Sequence, residues 1–505
     1  MGKRYRKQQG IAPVVRAGAV SHTGASMTSQ QLGSWMPIAA SADADLLPEL
    51  GTLVARARDI DRNNGIAASG KQTLADNVVG VGLRLSALPD YKALGKTVEW
   101  AMEWQRNVES RWRAFSKSLN FDAARSCNFD GMTDQVFRSQ ISNGDAFALP
   151  LWLPRPGQSF CTVMQAIEAD RVSNPLGRPD SERLRGGIEL DQYGAPIAYH
   201  VRRSHPGDWG LGSVAGEWER IEAFTSWGRR RFVHFHDRDR IGQTRTKPLL
   251  TPVLQQFRML DKYAGAELDA AVVNAMMAAF IETPMDTEGL VELFGGHSNI
   301  NAELNKRNKA RPKLKSGSII PLAPGEKFTP FMPARPAAQF EAFTVAVMRH
   351  IAAAMGMPYE LLLKDFSKTN YSSARAALLE AWRYFRGRRE KLSIYWAQPI
   401  YELWLEEVIN ANLVEAPLFY VMREAYTRNK WIGPGRGWVD PVKEAQAAQI
   451  RMNAGISTLE AECAEQGLDW EEVMEQLARE QARRRELGIV PAKSKRHAAK
   501  EPAHA

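Results

Sequence analysis

Apolar positions recur at helical spacing along much of the chain. Phe340, Phe343, Val347 and Ile351 stand three or four residues apart, which predicts one apolar stripe on a helix. Gly356 and Pro358 supply its stop, because Gly tolerates the left-handed conformation after a helix and Pro cannot continue one. Beyond a polar loop, Leu378, Trp382, Phe385, Leu392, Trp396, Pro399 and Leu403 mark a second, longer stripe. A kink is expected at Pro399, where a backbone donor is missing and the ring crowds the preceding turn. Val253, Phe257, Leu260, Ala264 and Leu268 predict a third helix over 251–282, with Pro252 in a compatible first-turn position. From Ala270 to Ala279 it is apolar nearly all round, as in a helix buried between neighbours. Trp100, Trp104, Val108, Trp112 and Phe115 form an aromatic stripe over 97–115, which reads as core.

The pattern changes over residues 143–240. Short apolar runs broken by turns occur at Phe147–Leu153, Thr162–Glu168, Gly187–Leu190, Ile197–Val201 and Phe232–Phe235. Asp191–Gly194 between two of them reads as a hairpin turn. Helical patterning also begins at Leu46–Arg62 and returns at Val442–Met452 and Ser457–Leu477, where Leu468-Asp469-Trp470 would start or break the last helix. The Gly- and Pro-rich stretch Trp431–Pro441 reads as irregular. Helices and antiparallel strands segregated in this way make the fold α+β.

Composition adds little that is specific. The 505 residues are 44% hydrophobic and 24% charged, enough for several folding units and a large core. No run of about eighteen apolar residues occurs, so no membrane span is expected, and the basic start MGKRYRKQQG leads into no apolar signal region. Cys127, Cys161 and Cys463 are far apart, and they read as buried free thiols in a reducing cytoplasm. A net charge of +9 permits contact with a polyanion without demanding it.

Three motifs imitate chemistry. Gly65 to Lys71 fits G-x-x-x-x-G-K, but Gln72 replaces the hydroxyl that would hold magnesium, and no strand feeds the loop. Gly80-Val81-Gly82 begins a dinucleotide fingerprint but has Leu85 where the third Gly belongs, and it reads as a turn into a strand at Gly82–Leu85. His234 and His236 share one face of a strand, as metal ligands would. Arg229, Arg230, Arg231, Arg238 and Arg240 surround them and repel a cation, so solvated or hydrogen-bonded histidines are expected. No nucleophile elbow, carboxylate pair or cofactor motif appears, so neither catalysis nor a cofactor or metal is expected.

The run IAAAMGMPYELLLKDFSKTNYSSARAALLEAWRYF, Ile351–Phe385, resembles the bacteriophage portal proteins of the lambda type. Asn63–Leu85, Asn143–Pro150 (NGDAFALP), Ile167–Val172 (IEADRV) and Gly242–Val273 agree with the same family, in family order. Residues 1–45, rich in Gly, Ser, Ala and Thr with little periodicity, read as a mobile arm, and the resemblance implies an α+β wing (46–250), a first stem helix (251–282) and a small α/β clip (283–333). A second stem helix (334–356), a tunnel loop (357–371), a long kinked wing helix with its following segment (372–440) and crown helices (441–478) would follow, while 479–505, basic and without a core pattern, reads as a disordered tail. It further implies a cyclic ring of about twelve subunits at one capsid vertex of the virion, assembled in the host cytoplasm. DNA would enter and leave through this ring. Implied partners are the terminase large subunit, major capsid and scaffold proteins, head-completion or adaptor proteins, and double-stranded DNA held without sequence specificity; no membrane is implied.

By resemblance Lys364, Lys368, Asn370 and Tyr371 of the tunnel loop would meet DNA. The contact should be loose, since strong or base-specific contacts would stop translocation. Leu361, Leu362, Leu363 and Phe366 leave open a loop folded back on the core; both hold if the apolar side is anchored and the lysines are free. Lys306, Arg307, Lys309, Arg311, Lys313 and Lys315 place six cations within ten residues of the clip. They read as a rim for DNA or terminase, or as a solvated charged face. Ala270–Phe280 and the aromatic stripe from Trp100 are candidate ring contacts. Two other classes stay open: a nucleic-acid-processing enzyme, which needs a carboxylate cluster, and a sequence-specific DNA-binding protein, which needs a base-reading helix.

Overall fold

The computed structural model describes residues 22–208, 216–276, 279–281, 319–321, 340–437 and 440–489. The clip cations Lys306, Arg307, Lys309, Arg311, Lys313 and Lys315 lie outside this set, as do residues 1–21 of the arm and 490–505 of the tail. The described architecture is α+β, a helical body carrying small sheets. No described helix is long and apolar enough to cross a membrane.

Helix α1 (Ala42–Asn63) is capped by Ser41, whose side chain accepts from the Ala44 amide at 3.2 Å. Part of the expected arm is therefore tethered: Asp43 is buried and accepts from the Thr244 amide and hydroxyl at 2.7 and 2.6 Å. Asn64 ends α1 and caps α2 (Gly65–Val78), accepting from the Ile66 and Ala67 amides at 3.0 Å. The stretch that imitates a phosphate loop is thus the first two turns of a helix. Lys71 is ion-paired with Asp61 of α1 and donates to Ser142 Oγ at 3.2 Å. Strand β1 (Arg84–Ala87) begins two residues later than expected.

Helix α3 (Val98–Ser116), capped by Thr97, carries the aromatic stripe. Trp104, Trp112 and Phe115 are buried inside this one chain, so they are not ring contacts. Trp112 makes edge contacts with Phe129 and Trp404, both at 5.2 Å, and with Tyr401 at 5.8 Å and Trp431 at 5.7 Å. Each buried aromatic contributes on the order of 1.5–3 kcal/mol, which makes this cluster the principal core. Helix α4 (Phe129–Asn143) closes one side of it, with Thr133 Oγ1 accepting from the Trp396 indole at 2.9 Å.

Strands β2 (Asp145–Trp152), β3 (Thr162–Ile167), β4 (Leu184–Arg185), β5 (Ile188–Leu190), β6 (Pro196–Arg202), β7 (Trp218–Glu222) and β8 (Val233–His236) form two antiparallel sheets, ordered β3-β2-β8 and β4-β5-β6-β7. Phe147, Tyr199, Phe232 and their aliphatic neighbours give them a core of their own. His234 and His236 are not solvated. Both are buried, His234 Nε2 lies 3.3 Å from Asp145, and His236 packs at a tilt against Tyr395 with ring centroids 5.1 Å apart. Burial, with nearby cations, lowers both imidazole pKa values, that of His236 to about 3.

A 3-10 turn at Thr251–Val253 leads into α5 (Leu254–Met276). The helix is shorter than expected, because Ala279–Ile281 is a strand, β9, paired in parallel with β10 (Ile319–Pro321). Phe280 and Ile281 suit an extended chain once such a partner exists. Val253, Phe257 and Leu260 are buried, whereas Leu268, on the same stripe, is 66% exposed. Helix α6 (Phe340–Ala354) packs on α5 through Phe340 and Phe343, each 5.3 Å from the Tyr263 ring.

A short helix, α7 (Tyr359–Leu363), precedes the long run formed by α8 (Tyr371–Leu392), a π turn at Ser393–Ala397 and α9 (Gln398–Asn410). The irregularity expected at Pro399 is placed upstream of it. The Gln398 amide reaches back to the Ser393 carbonyl, and the wider π turn relieves the crowding that a proline ring imposes. Most of α9 is buried, including Glu407, which accepts from the Cys161 and Thr162 amides at 2.6 and 2.9 Å.

Helix α10 (Arg423–Thr427) leads to β11 (Asn429–Ile432), which pairs with β1. Trp431 and Ile432 are therefore strand and not irregular. Helices α11 (Pro441–Asn453), α12 (Leu459–Glu465) and α13 (Trp470–Glu486) follow, with Asp469 capping the last. Arg479–Glu486, expected as disordered tail, is helical. All three thiols are free, but only that of Cys463 is buried; Cys127 and Cys161 are half-buried.

Candidate functional site

The loop between α6 and α8 is built in two halves of opposite character. Gly356, at φ +68°, ends α6, and a Cβ there would stand 2.6 Å from the Tyr384 ring. Pro358 then starts α7, whose Leu362 is buried together with Met355 and Met357. These side chains press on α2 at Gly70, where a Cβ would come within 2.5 Å of Met355 Cε and 2.8 Å of Leu362 Cδ1. The second glycine of the phosphate-loop imitation is thus a helix-packing position. The apolar half of the loop is anchored through Leu361 and Leu362, as the folded-back arrangement requires, but Phe366 is exposed.

The polar half emerges directly from this anchor. Lys364 closes α7 in the left-handed conformation, φ +57° and ψ +31°, and its side chain is exposed. Asp365 accepts from the Ser367 amide at 3.0 Å, and its hydrogen bonds to Ser367 lower its pKa. Lys368 is also exposed but is not alone: it forms an ion pair with Glu341 of α6. Hydrogen bonding to Glu341 raises the lysine pKa and lowers that of the carboxyl. Both groups are open to water, so this pair exchanges readily for another anion.

Asn370 has a local task. Its Oδ1 caps α8, accepting from the Ser373 amide and the Ser372 hydroxyl, both at 2.9 Å. Its oxygen is committed to the helix end. Tyr371 is the first residue of α8, and its side chain lies outside the described set. The structure thus brings Lys364, Lys368 and Asn370 into one exposed segment. Glu341 could not be found from the sequence, because its partner lies twenty-seven positions away across a turn.

Residues 28–389 match the family described as phage portal protein, lambda family. The chain is 33% identical to portal protein B of Escherichia phage lambda, over 94% of this chain and 92% of that protein. It is equally similar, at the same coverage, to the portal protein of Escherichia phage N15. A probable portal protein of Halomonas phage phiHAP-1 is 27% identical over 90% of this chain and 85% of its own length. Among solved structures, a chain from the neck of a native GTA particle, computed with C12 symmetry, is 13% identical, with a TM-score of 0.43 over 88% of this chain and 94% of that one.

Proposed function

The chain belongs to the lambda family of phage portal proteins, and on that premise we propose that its copies close into a ring of about twelve subunits around a DNA channel. The ring sits at one capsid vertex as a head–tail connector, with no catalytic step of its own. The terminase large subunit docks on it and supplies the ATP-driven motion, and head-completion proteins take its place when packaging ends. Capsid and scaffold proteins surround the ring. In this reading α5 and α6 are the stem, residues 283–333 the clip, and the 357–371 loop projects toward the bore.

One observation supports this reading above the others. The packed pair α5–α6 leaves Met259, Leu268, Val272 and Phe343 exposed on a single subunit. A helical stalk with this much uncovered apolar surface calls for neighbours. In a closed ring every subunit supplies two different complementary faces, so such surface is covered on both sides. The anchored base and exposed lysines of the loop fit a channel contact that holds phosphates without gripping them.

Electron microscopy of the purified protein, alone and with the other capsid proteins, tests this. Closed rings are expected. Monomers or dimers under every such condition would overturn the assignment.

A further inference from the structure

A cleft of about 750 Å³ lies between α8, the turn after β11 and α12. Arg383, Arg386, Arg389, Lys430 and Arg436 line it, against only two carboxylates, Glu390 and Glu465. The three α8 arginines are spaced at i, i+3 and i+6, which sets them along one side of the helix.

Their pairing is incomplete. Arg389 donates to the carbonyls of Val78 at 3.0 Å, Asn77 at 2.7 Å and Pro434 at 3.1 Å, closing the C-terminus of α2 with no carboxylate partner among the described residues. Burial, and then Arg386, pushes its pKa down to about 10. Arg386 is exposed and has no ion-pair partner among the described residues. Among the described residues Arg383 pairs with Glu380 alone, at 3.0 Å, where both side chains are largely in water and the pairing is weak. Arg436 Nε is shut off from solvent with no described hydrogen-bond partner, while its Nη2 stands 3.8 Å from both Glu444 and Glu465. Lys430 reaches Glu460 at 3.2 Å.

A concave wall with an excess of one charge focuses its field on an incoming anion, and planar guanidinium forks match tetrahedral phosphate oxygens. We propose that this cleft holds the phosphodiester backbone of DNA, without regard to base sequence, at the junction of the long helix and the C-terminal helices. The proposal rests on the DNA-conduit reading above. A second copy of the chain is the competing occupant, because Leu379 and Ile394 at the rim are exposed. The cations left without carboxylates favour phosphate.

The test uses the full-length protein, a fluorescent random-sequence DNA duplex and a salt series, with particle mass measured in parallel. Arg383→Ala with Arg386→Ala is expected to lower the slope of log affinity against log salt by about 2, equally for duplexes of different sequence. Arg386→Lys is expected to keep most of the slope. Should the double variant not fold, Arg386→Gln carries the test, with an expected fall of about 1. An unchanged slope in a folded, normally assembled variant overturns the proposal and leaves the conduit reading standing. A folded variant that no longer assembles also overturns it, and gives the cleft to a second copy. Failure of the unsubstituted protein to form rings, by contrast, counts against the conduit reading itself.

Discussion

Arg245 and Asp145 meet inside the protein, with Nε donating to Oδ2 at 2.5 Å and the two side chains 5% and 0% exposed. The guanidinium also donates to the carbonyls of Val172 and Gly186 at 2.9 Å and of Ala169 at 3.2 Å. Asp145 accepts in addition from the Thr246 amide at 3.1 Å and its hydroxyl at 2.8 Å. One ion pair therefore ties the start of β2 to loops beside both sheets. Burial opposes ionisation of Asp145, but Arg245 and His234 outweigh it and hold the carboxyl below its usual range. Its stabilising contribution is present above the unfolded-state pKa and is lost as pH falls below about 4.

Arg245→Ala should cost about 3–5 kcal/mol at neutral pH, because it leaves a buried carboxylate without its cation. Urea unfolding followed by circular dichroism measures this. A loss under about 1 kcal/mol would show that the pair is dispensable, as a surface pair is.

The alkaline side has a different origin. Burial pushes the Glu109 carboxyl up to about 8, and Asp469 and Glu471 add to the effect against a hydrogen bond from the Ala87 amide. A raised folded-state pKa means that the folded protein holds a proton which the unfolded chain releases above about 4.3. Stability from this group is complete below that value and is lost as pH rises toward 8. Glu109→Gln keeps an acceptor for Ala87 and removes the titration. The melting temperature of the variant minus that of the parent should therefore increase from pH 5 to pH 8. A difference that stays flat across this range would contradict the assignment.

Gly70 and Lys71 are adjacent but do different things, and substitution should separate them. Gly70→Val drives a branched side chain into Met355 and Leu362, with an expected cost of about 1–3 kcal/mol and loss of the α7 anchor. Lys71→Ala removes a half-buried pair with Asp61 and should leave terminase-driven ATP hydrolysis unchanged wherever rings still form. Thermal unfolding reads the first effect and an ATPase assay the second. Loss of ATP turnover with ring structure intact would reinstate a nucleotide role for this motif.

Lys364→Ala combined with Lys368→Ala should preserve ring yield and impair DNA retention or late packaging. The two lysines are exposed and their only described ion pair is a solvated one, so the fold has little to lose. Comparing ring yield with the length of DNA protected inside particles checks this. Normal packaging and retention across salt concentrations would remove these lysines from the channel.

The helices were the legible part of the sequence, because stripes such as Trp104–Val108–Trp112 report directly on a buried face. The Asp191–Gly194 turn and its flanking strands β5 and β6 were legible for the same local reason. What escaped depends on distant partners. Trp431 and Ile432 lie beside Gly and Pro and become strand only because Leu85 and Arg84 pair with them across most of the chain. Asn370 looked like a flexible polar contact, but its place before α8 makes it a cap. Glu341 and the α8 arginine cleft have no sequence signature, since each depends on the packing of separate helices.

The π turn at Ser393–Ala397 also sets how two halves of one rod are clocked. A π turn takes up one residue more than an α turn, so it rotates the following helix by about 100° relative to an unbroken one. The half before it, α8, turns Arg383 and Arg386 outward, while the half after it, α9, is sunk in the aromatic core. Wound as one continuous α-helix, the same residues would lose this offset. Either the aromatic side of α9 or the cationic side of α8 would then face the wrong way, so the length of this turn sets the facing of both.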